Sequence, residues 1–156
     1  MTPAIDLATK QKVAFKVHHY EHDPNVESYG EEAAANLKLN PAQVFKTLVV
    51  ELNTGELVVG IVPVSGSLNL KAIASAAGAK KAIMADRHKV QRSSGYVIGG
   101  VSPIAQRKRL ATIIDASAKH FETIFVSAGK RGLDIELAAN DLALLTKAKF
   151  VAISNP

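Results

Sequence analysis

The run Val44-Phe45-Lys46-Thr47-Leu48-Val49-Val50 constrains the fold more than any other stretch, because a lysine and a threonine interrupt what otherwise reads as a buried strand. The β-branched, aromatic and leucine side chains around them suit a pleated, half-buried surface, and Asn53-Thr54-Gly55-Glu56 supplies a turn soon after. Side chains alternate along a strand, so Lys46 shares a face with Val44, Leu48 and Val50. If that face is interior, the ammonium enters an apolar cavity and needs a partner, since an unpaired buried charge is costly. The competing reading is an edge strand on which Lys46 is a solvated guard against aggregation.

A length of 156 residues suits one domain, 1–156, with a substantial core. Hydrophobic residues at 47% and charged residues at 21% exclude a disordered chain. There is no cysteine, which excludes a disulfide framework, a cysteine-based zinc site and a cysteine nucleophile. Any thiol chemistry has to come from the substrate. The amino terminus lacks a basic segment followed by an apolar one, and no stretch reaches membrane-spanning length, so a cytoplasmic location is expected. A formal net charge of +5 favours a polyanionic partner.

In chain order, Thr2 caps a first helix with Pro3 at its first position, continuing through residue 13. Phe15 to Tyr20 reads as a strand, with Phe15 and Val17 on one face and Lys16, His18 and Tyr20 on the other; His22-Asp23-Pro24-Asn25 closes it. Residues 31 to 38 place acids first and a lysine last, as a short helix prefers, and Asn40-Pro41 caps a single turn leading into the central strand. Leu57 to Val64 is a near-continuous apolar strand that forms a hairpin with it. A helix over 69–77 stopped by Gly78, a strand over 81–85, and a basic helix capped by Asp86 follow. The remaining expectations are a strand from Gly95 to Gly100, a loop at 101–104, strands over 112–115 and 123–127 flanking a short helix at 116–121, and a loop from Ser127 to Gly132. A strand over 133–137, a helix capped by Asn140 and a strand over 150–153 complete the chain. Mixed hairpins and crossovers imply an α/β domain with a curved or barrel-like sheet.

Several familiar chemistries fail to assemble. His18, His19 and His22 are candidate metal ligands, but on a strand His19 points away from the other two and only Asp23 could add to them, so no metal is expected. No Walker A spacing and no Gly-x-Gly-x-x-Gly occurs. Gly100-Val101-Ser102-Pro103-Ile104 lacks the second glycine of a nucleophile elbow, and Pro103 has no amide to complete an oxyanion hole. Gly99-Gly100 can bring backbone amides close to a ligand carbonyl or merely bend the chain. Gly129-Lys130-Arg131-Gly132 suits a phosphate or a plain surface turn.

Val44-Phe45-Lys46-Thr47-Leu48-Val49, Gly95-Tyr96-Val97-Ile98-Gly99-Gly100-Val101-Ser102-Pro103-Ile104 and Val126-Ser127-Ala128-Gly129-Lys130-Arg131-Gly132-Leu133-Asp134-Ile135 together resemble the YbaK family, bacterial free-standing relatives of the prolyl-tRNA synthetase editing domain. The likeness extends from Met1-Thr2-Pro3-Ala4 and Tyr20-Glu21-His22-Asp23-Pro24 to the terminal strand. It implies a mixed barrel-like sheet wrapped by helices, and hydrolysis of the ester of cysteine mischarged on proline tRNA. It further implies that activity depends on Lys46, with Gly99 as the second catalytic position, and that Tyr20, Tyr29, Thr47, Gly100, Ser127 and Asp134 form the substrate pocket. The resemblance implies Phe at position 29 in close relatives, so Tyr29 adds a hydroxyl. Ala105 stands where the family's Ser-Pro-x-Gly pattern has glycine, which implies a stiffer loop.

In this reading the substrate's own thiol attacks its ester carbonyl, and no cofactor is needed. The protein positions the substrate and stabilises charge: Gly99 holds the carbonyl, and Lys46 either anchors the phosphate or ribose of the tRNA terminus or stabilises the departing oxygen. Arg107, Lys108, Lys130 and Arg131, with Arg87, Lys89, Arg92 and Arg109, are expected to face tRNA through weak, salt-sensitive contacts. The partners implied are proline tRNA and prolyl-tRNA synthetase, with no DNA and no membrane. Two alternatives stand beside it: a deacylase of the same fold acting on alanine or serine esters, and a module that binds tRNA or a synthetase without catalysis.

Overall fold

The computed structural model describes residues 2–25 and 29–156; Met1, at the edge of the amino-terminal motif, lies outside them. Helix α1 (Pro3–Lys10) starts where Ile5 N–H donates to Thr2 Oγ1 and buries Ala4, Ile5 and Ala8. It stops three residues short of the expectation. Strand β1 (Phe15–His19) precedes α2 (Tyr29–Asn36), which begins earlier than its acidic residues indicated and so includes Tyr29 and Gly30. Hairpin strands β2 (Phe45–Leu52) and β3 (Leu57–Pro63) lead to β4 (Ser67–Leu68), α3 (Leu70–Ala76), β5 (Ala82–Met84) and α4 (Arg87–Ser94). Asn69 and Asp86 cap α3 and α4 as expected. Next come β6 (Ala111–Asp115), a 3-10 helix (Ala116–His120), β7 (Ile124–Lys130), β8 (Leu133–Leu137), α5 (Ala139–Thr146), β9 (Lys149–Val151) and β10 (Ser154–Asn155).

The mixed α/β class holds, and the strands form three hydrogen-bonded sheets rather than a closed barrel among the described residues. Their orders are β5-β2-β3-β6-β9, β1-β8-β7 and β10-β4. Within the largest, β3–β6 and β6–β9 run parallel and the other pairs antiparallel. The first two sheets meet where Val44 bridges Phe125.

Four expectations are corrected. Gly95 to Gly100 is no strand: Gly95 is the left-handed cap of α4 at φ 79°, and the segment's amides bond locally, Gly100 N–H to Val97 O and Ile98 N–H to Gln91 Oε1. No ladder partner is needed. Ser127 to Gly132 is not an open loop: β7 runs on to Lys130 through a bulge, and Arg131-Gly132 make the hairpin turn. Helix α5 starts after Ala138, with no side-chain cap, so Asn140 lies inside it. The last strand divides into β9 and β10, the latter pairing with β4, which the sequence did not signal.

The site is positioned by the incomplete coverage of β2. On its outer side β5 pairs only with Val50–Leu52 and the 43–44 segment meets β7, and no described strand pairs with the edge between them. Phe45 and Val49 pack into the largest core cluster, Leu48 and Val50 into a second, and Val44 joins Ala33, Ala34 and Phe125 in a third. Lys46 is therefore on neither a fully buried strand nor a plain edge.

Candidate active site

A cavity of about 260 Å³ opens along the uncovered edge of β2. Because the opening follows the backbone edge, residues from both strand faces reach it, and Lys46 and Thr47 line it side by side. Val64 N–H donates to Val44 O, so by antiparallel alternation residues 44, 46 and 48 bond to β3 while Thr47 directs its peptide groups to the open edge. The opposite walls come from Tyr20, the start of α2 at Tyr29 and Gly30, the Ile98-Gly99 loop, Ser127 on β7 and Asp134 on β8. Gly30 lets α2 lie against Val64 beside the Lys46 stem, where a side chain would collide.

Seven of the residues singled out from sequence thus meet at one cavity: Tyr20, Tyr29, Lys46, Thr47, Gly99, Ser127 and Asp134. Gly100 is instead buried beneath the loop: a Cβ there would stand 3.0 Å from Arg131 N and from Lys130 Cα, so the glycine is a packing requirement. Its N–H closes the turn onto Val97 O at 2.9 Å and cannot serve a substrate. Arg107 and Lys108 are exposed, and their N–H groups donate to Ser94 O and Ser93 O, which fastens the basic run to the end of α4. Lys108 lines another, more open cavity with Lys89 and Arg92. Lys130 and Arg131 are exposed at the β7–β8 turn, where both Arg131 Nε (2.9 Å) and Nη2 (2.6 Å) donate to Ile98 O. Ala105 adopts φ 58°, the left-handed region that a family glycine would occupy without strain.

The cavity holds polar groups that no other described residue answers. Asp134 is 4% exposed, and burial pushes its carboxyl up to about 7, with no neighbouring cation drawing it down. Tyr20 is pushed up to about 12 by its own burial and by Asp134. Thr47 Oγ1 is buried without a hydrogen-bond partner, and Lys46 has no ion-pair or hydrogen-bond partner among the described residues. The Gly99 N–H likewise bonds to no described residue. Native proteins satisfy nearly all buried polar groups; among the described residues the buried side-chain atoms without a partner are Thr47 Oγ1 and His22 Nε2, and of these Thr47 lines the cavity.

No histidine lines the cavity. His18 pairs with Glu136 and His22 with Glu32, each at 2.9 Å, and no group of three or more potential ligands for a metal occurs among the described residues. The Ser127 hydroxyl accepts from Gly129 N–H and makes no bond to Asp134. A cation, a carboxyl, free donors and apolar walls can bind and polarise a substrate, but they form no nucleophile–base pair. Arg87, expected to face tRNA with the other basic residues, lines this same cavity, as does Met84. The Asp86 cap was the available signal, because it fixes where α4 begins.

The aminoacyl-tRNA editing domain family matches residues 23–145. EbsC of Enterococcus faecalis, which carries a provisional name as a Cys-tRNA(Pro)/Cys-tRNA(Cys) deacylase, is 35% identical over 98% of this chain and 93% of its own. The protein YwhH of Bacillus subtilis is 33% identical over 44% of each chain. Among solved structures, a hypothetical protein, APE2540, superposes with a TM-score of 0.86 at 21% identity, covering 99% of this chain and all of its own. A protein described provisionally as a trans-editing enzyme for prolyl tRNA synthetase gives 0.82 at 19% identity, covering 100% of this chain and 99% of that one. The resemblance expected from the motifs is borne out, and the chain belongs to the aminoacyl-tRNA editing domain family.

Proposed function

We propose that this chain is a free-standing deacylase that hydrolyses the ester of cysteine mischarged on proline tRNA. The observation that carries the reading is that one cavity holds a carboxyl, Asp134, and an ammonium, Lys46, neither with a partner among the described residues, and no nucleophile–base pair between them. The two groups are not paired with each other, since burial alone accounts for the Asp134 shift. An aminoacylated RNA terminus has the complementary charges: an α-ammonium at one end and ribose-phosphate at the other. Asp134 receives the ammonium, Lys46 the ribose-phosphate end and its departing oxygen, and the Gly99 N–H the ester carbonyl. The name carried by EbsC supports cysteine as the amino acid.

Chemistry follows from what the cavity lacks. The cysteine thiol, giving up its proton, forms a bond from sulfur to its own ester carbon. The bond to the ribose oxygen breaks and that oxygen takes a proton, releasing tRNA and a cyclic thioester that water opens to free cysteine. Binding and orientation supply the rate. The same reading places the protein in the cytoplasm, with proline tRNA as substrate and prolyl-tRNA synthetase as the source of the mischarged ester.

The test is single-turnover deacylation of proline tRNA charged separately with cysteine, alanine and serine, with native protein and Lys46→Ala. Loss of the cysteine ester alone, slowed at least ~10²-fold by Lys46→Ala, is expected, in line with removal of one transition-state donor. A loss under about tenfold in a folded variant removes Lys46 from the mechanism. Hydrolysis of alanine or serine esters points to water as nucleophile, and no hydrolysis at all leaves a binding module.

A further inference from the structure

Arg131 sits at the tip of the β7–β8 turn, where an exposed cation reads naturally as a phosphate contact. Its guanidinium is engaged elsewhere. Nε and Nη2 both donate to Ile98 O, at 2.9 and 2.6 Å, and Cζ lies 5.0 Å from the centre of the Tyr29 ring. A Cβ on Gly99 would stand 2.5 Å from Arg131 Nε and 2.9 Å from the same ring, so the turn, the loop and α2 close on this glycine without spare room.

The Ile98 carbonyl and the Gly99 N–H are opposite ends of one planar trans peptide, and they point in opposite directions. Arg131 does not line the cavity, whereas Ile98 and Gly99 do. Fixing the carbonyl on the guanidinium therefore turns the N–H the other way, toward the cavity. A charge-assisted bond also polarises the peptide and strengthens that N–H as a donor. Without the clamp, Gly99 at φ 90° has the freedom to let the peptide rotate, which would present a carbonyl oxygen where negative charge must develop.

We infer that Arg131 is a positioning residue for the chemical step: it clamps the Ile98–Gly99 peptide so that the Gly99 N–H stands ready for the substrate's carbonyl oxygen. The inference rests on the deacylase reading above and moves Arg131 from RNA binding to transition-state preorganisation.

Single-turnover kinetics on two substrates test it: cysteine-charged proline tRNA, and 3′-O-cysteinyl adenosine, which lacks the RNA phosphates. Arg131→Ala is expected to lower the saturating rate constant on both by a similar ~10²-fold, the cost of one lost oxyanion donor, with half-saturation and its salt dependence unchanged. Arg131→Lys, which keeps a cationic donor without the fork, recovers part of the rate. Should Arg131→Ala unfold, Arg131→Gln carries the same comparison with one neutral donor. A rise in half-saturation for tRNA alone, with the adenosine ester hydrolysed normally, overturns the inference and returns Arg131 to phosphate binding. If native protein hydrolyses neither ester, the deacylase reading itself fails.

Discussion

Asp134 carries the strongest residue-scale consequence. Its folded value of about 7 lies above the ordinary ~3.9 of an unfolded aspartate, so folding favours the neutral carboxyl. The associated stability is complete below about pH 4, declines as pH rises from 4 to 7, and is gone above 7. The difference of about three pH units corresponds to a penalty on the order of 4 kcal/mol at pH 8. Asp134→Asn removes the ionisation while keeping the shape, so in urea unfolding it should exceed the native protein's stability at pH 8 by a few kcal/mol and match it near pH 4. A difference independent of pH means that the carboxyl titrates normally. On the proposed reading the same variant should also lose substrate binding, since the neutral amide would no longer answer the substrate's ammonium. The burial of Asp134 was not legible in Leu133-Asp134-Ile135-Glu136-Leu137, whose alternation puts Asp134 and Glu136 together on a polar face. The outward face of Asp134 becomes the cavity wall once Tyr20, α2 and the Gly99 loop lie over it. Lys46 was legible because an apolar strand makes a lysine conspicuous.

Among the elements, those set by local pattern and caps were readable, whereas those set by long-range hydrogen bonds were not. Asn69 and Asp86 announce α3 and α4 from their own side chains. The division of the last strand is imposed from 38 residues away. Asp115, at the end of β6, accepts from Ile153 N–H at 2.8 Å and Ser154 N–H at 3.0 Å through Oδ1, and from the Ser117 amide and hydroxyl through Oδ2. These bonds draw the chain out of the β9 ladder and into β10. Burial alone would push the Asp115 carboxyl up, but the bonds from Ser117, Ile153 and Ser154 outweigh it and hold it below the ordinary range. A depressed value stabilises the fold above pH ~4 and is lost as pH falls below that. Asp115→Asn removes the charge and one acceptor, so it should cost roughly 2–3 kcal/mol in urea unfolding at pH 7, with the deficit narrowing toward pH 3. A cost under about 0.5 kcal/mol means that these bonds do not hold the carboxyl-terminal strand.

At the scale of the whole molecule, the net charge of +5 matters through where the fold collects it. Arg107-Lys108-Arg109 and α4 are separate in sequence, yet bonds from the Arg107 and Lys108 amides to Ser94 O and Ser93 O bring them together. Lys89, Arg92 and Lys108 then line the more open cavity, while Arg87, at the start of α4, reaches the candidate active-site cavity. From Arg87 to Arg92 the helix rises ~7.5 Å, which puts the patch within reach of an RNA strand entering the cavity. Lys89 is partly committed to Glu51, so on the proposed reading Arg92 and Lys108 would be the principal phosphate contacts in this patch. For about three phosphates on single-stranded RNA, log affinity should fall with log salt at a slope of about −2. The double variant Arg92→Glu/Lys108→Glu should weaken tRNA binding and bring that slope close to −1, while 3′-O-cysteinyl adenosine, which never reaches the patch, is hydrolysed at the native rate. An unchanged slope would direct the RNA across Lys130 and the opposite lip. There the single turn carrying Arg131 would have to hold phosphate and clamp the Gly99 peptide at once, and Arg131→Ala would then raise half-saturation and lower the rate together.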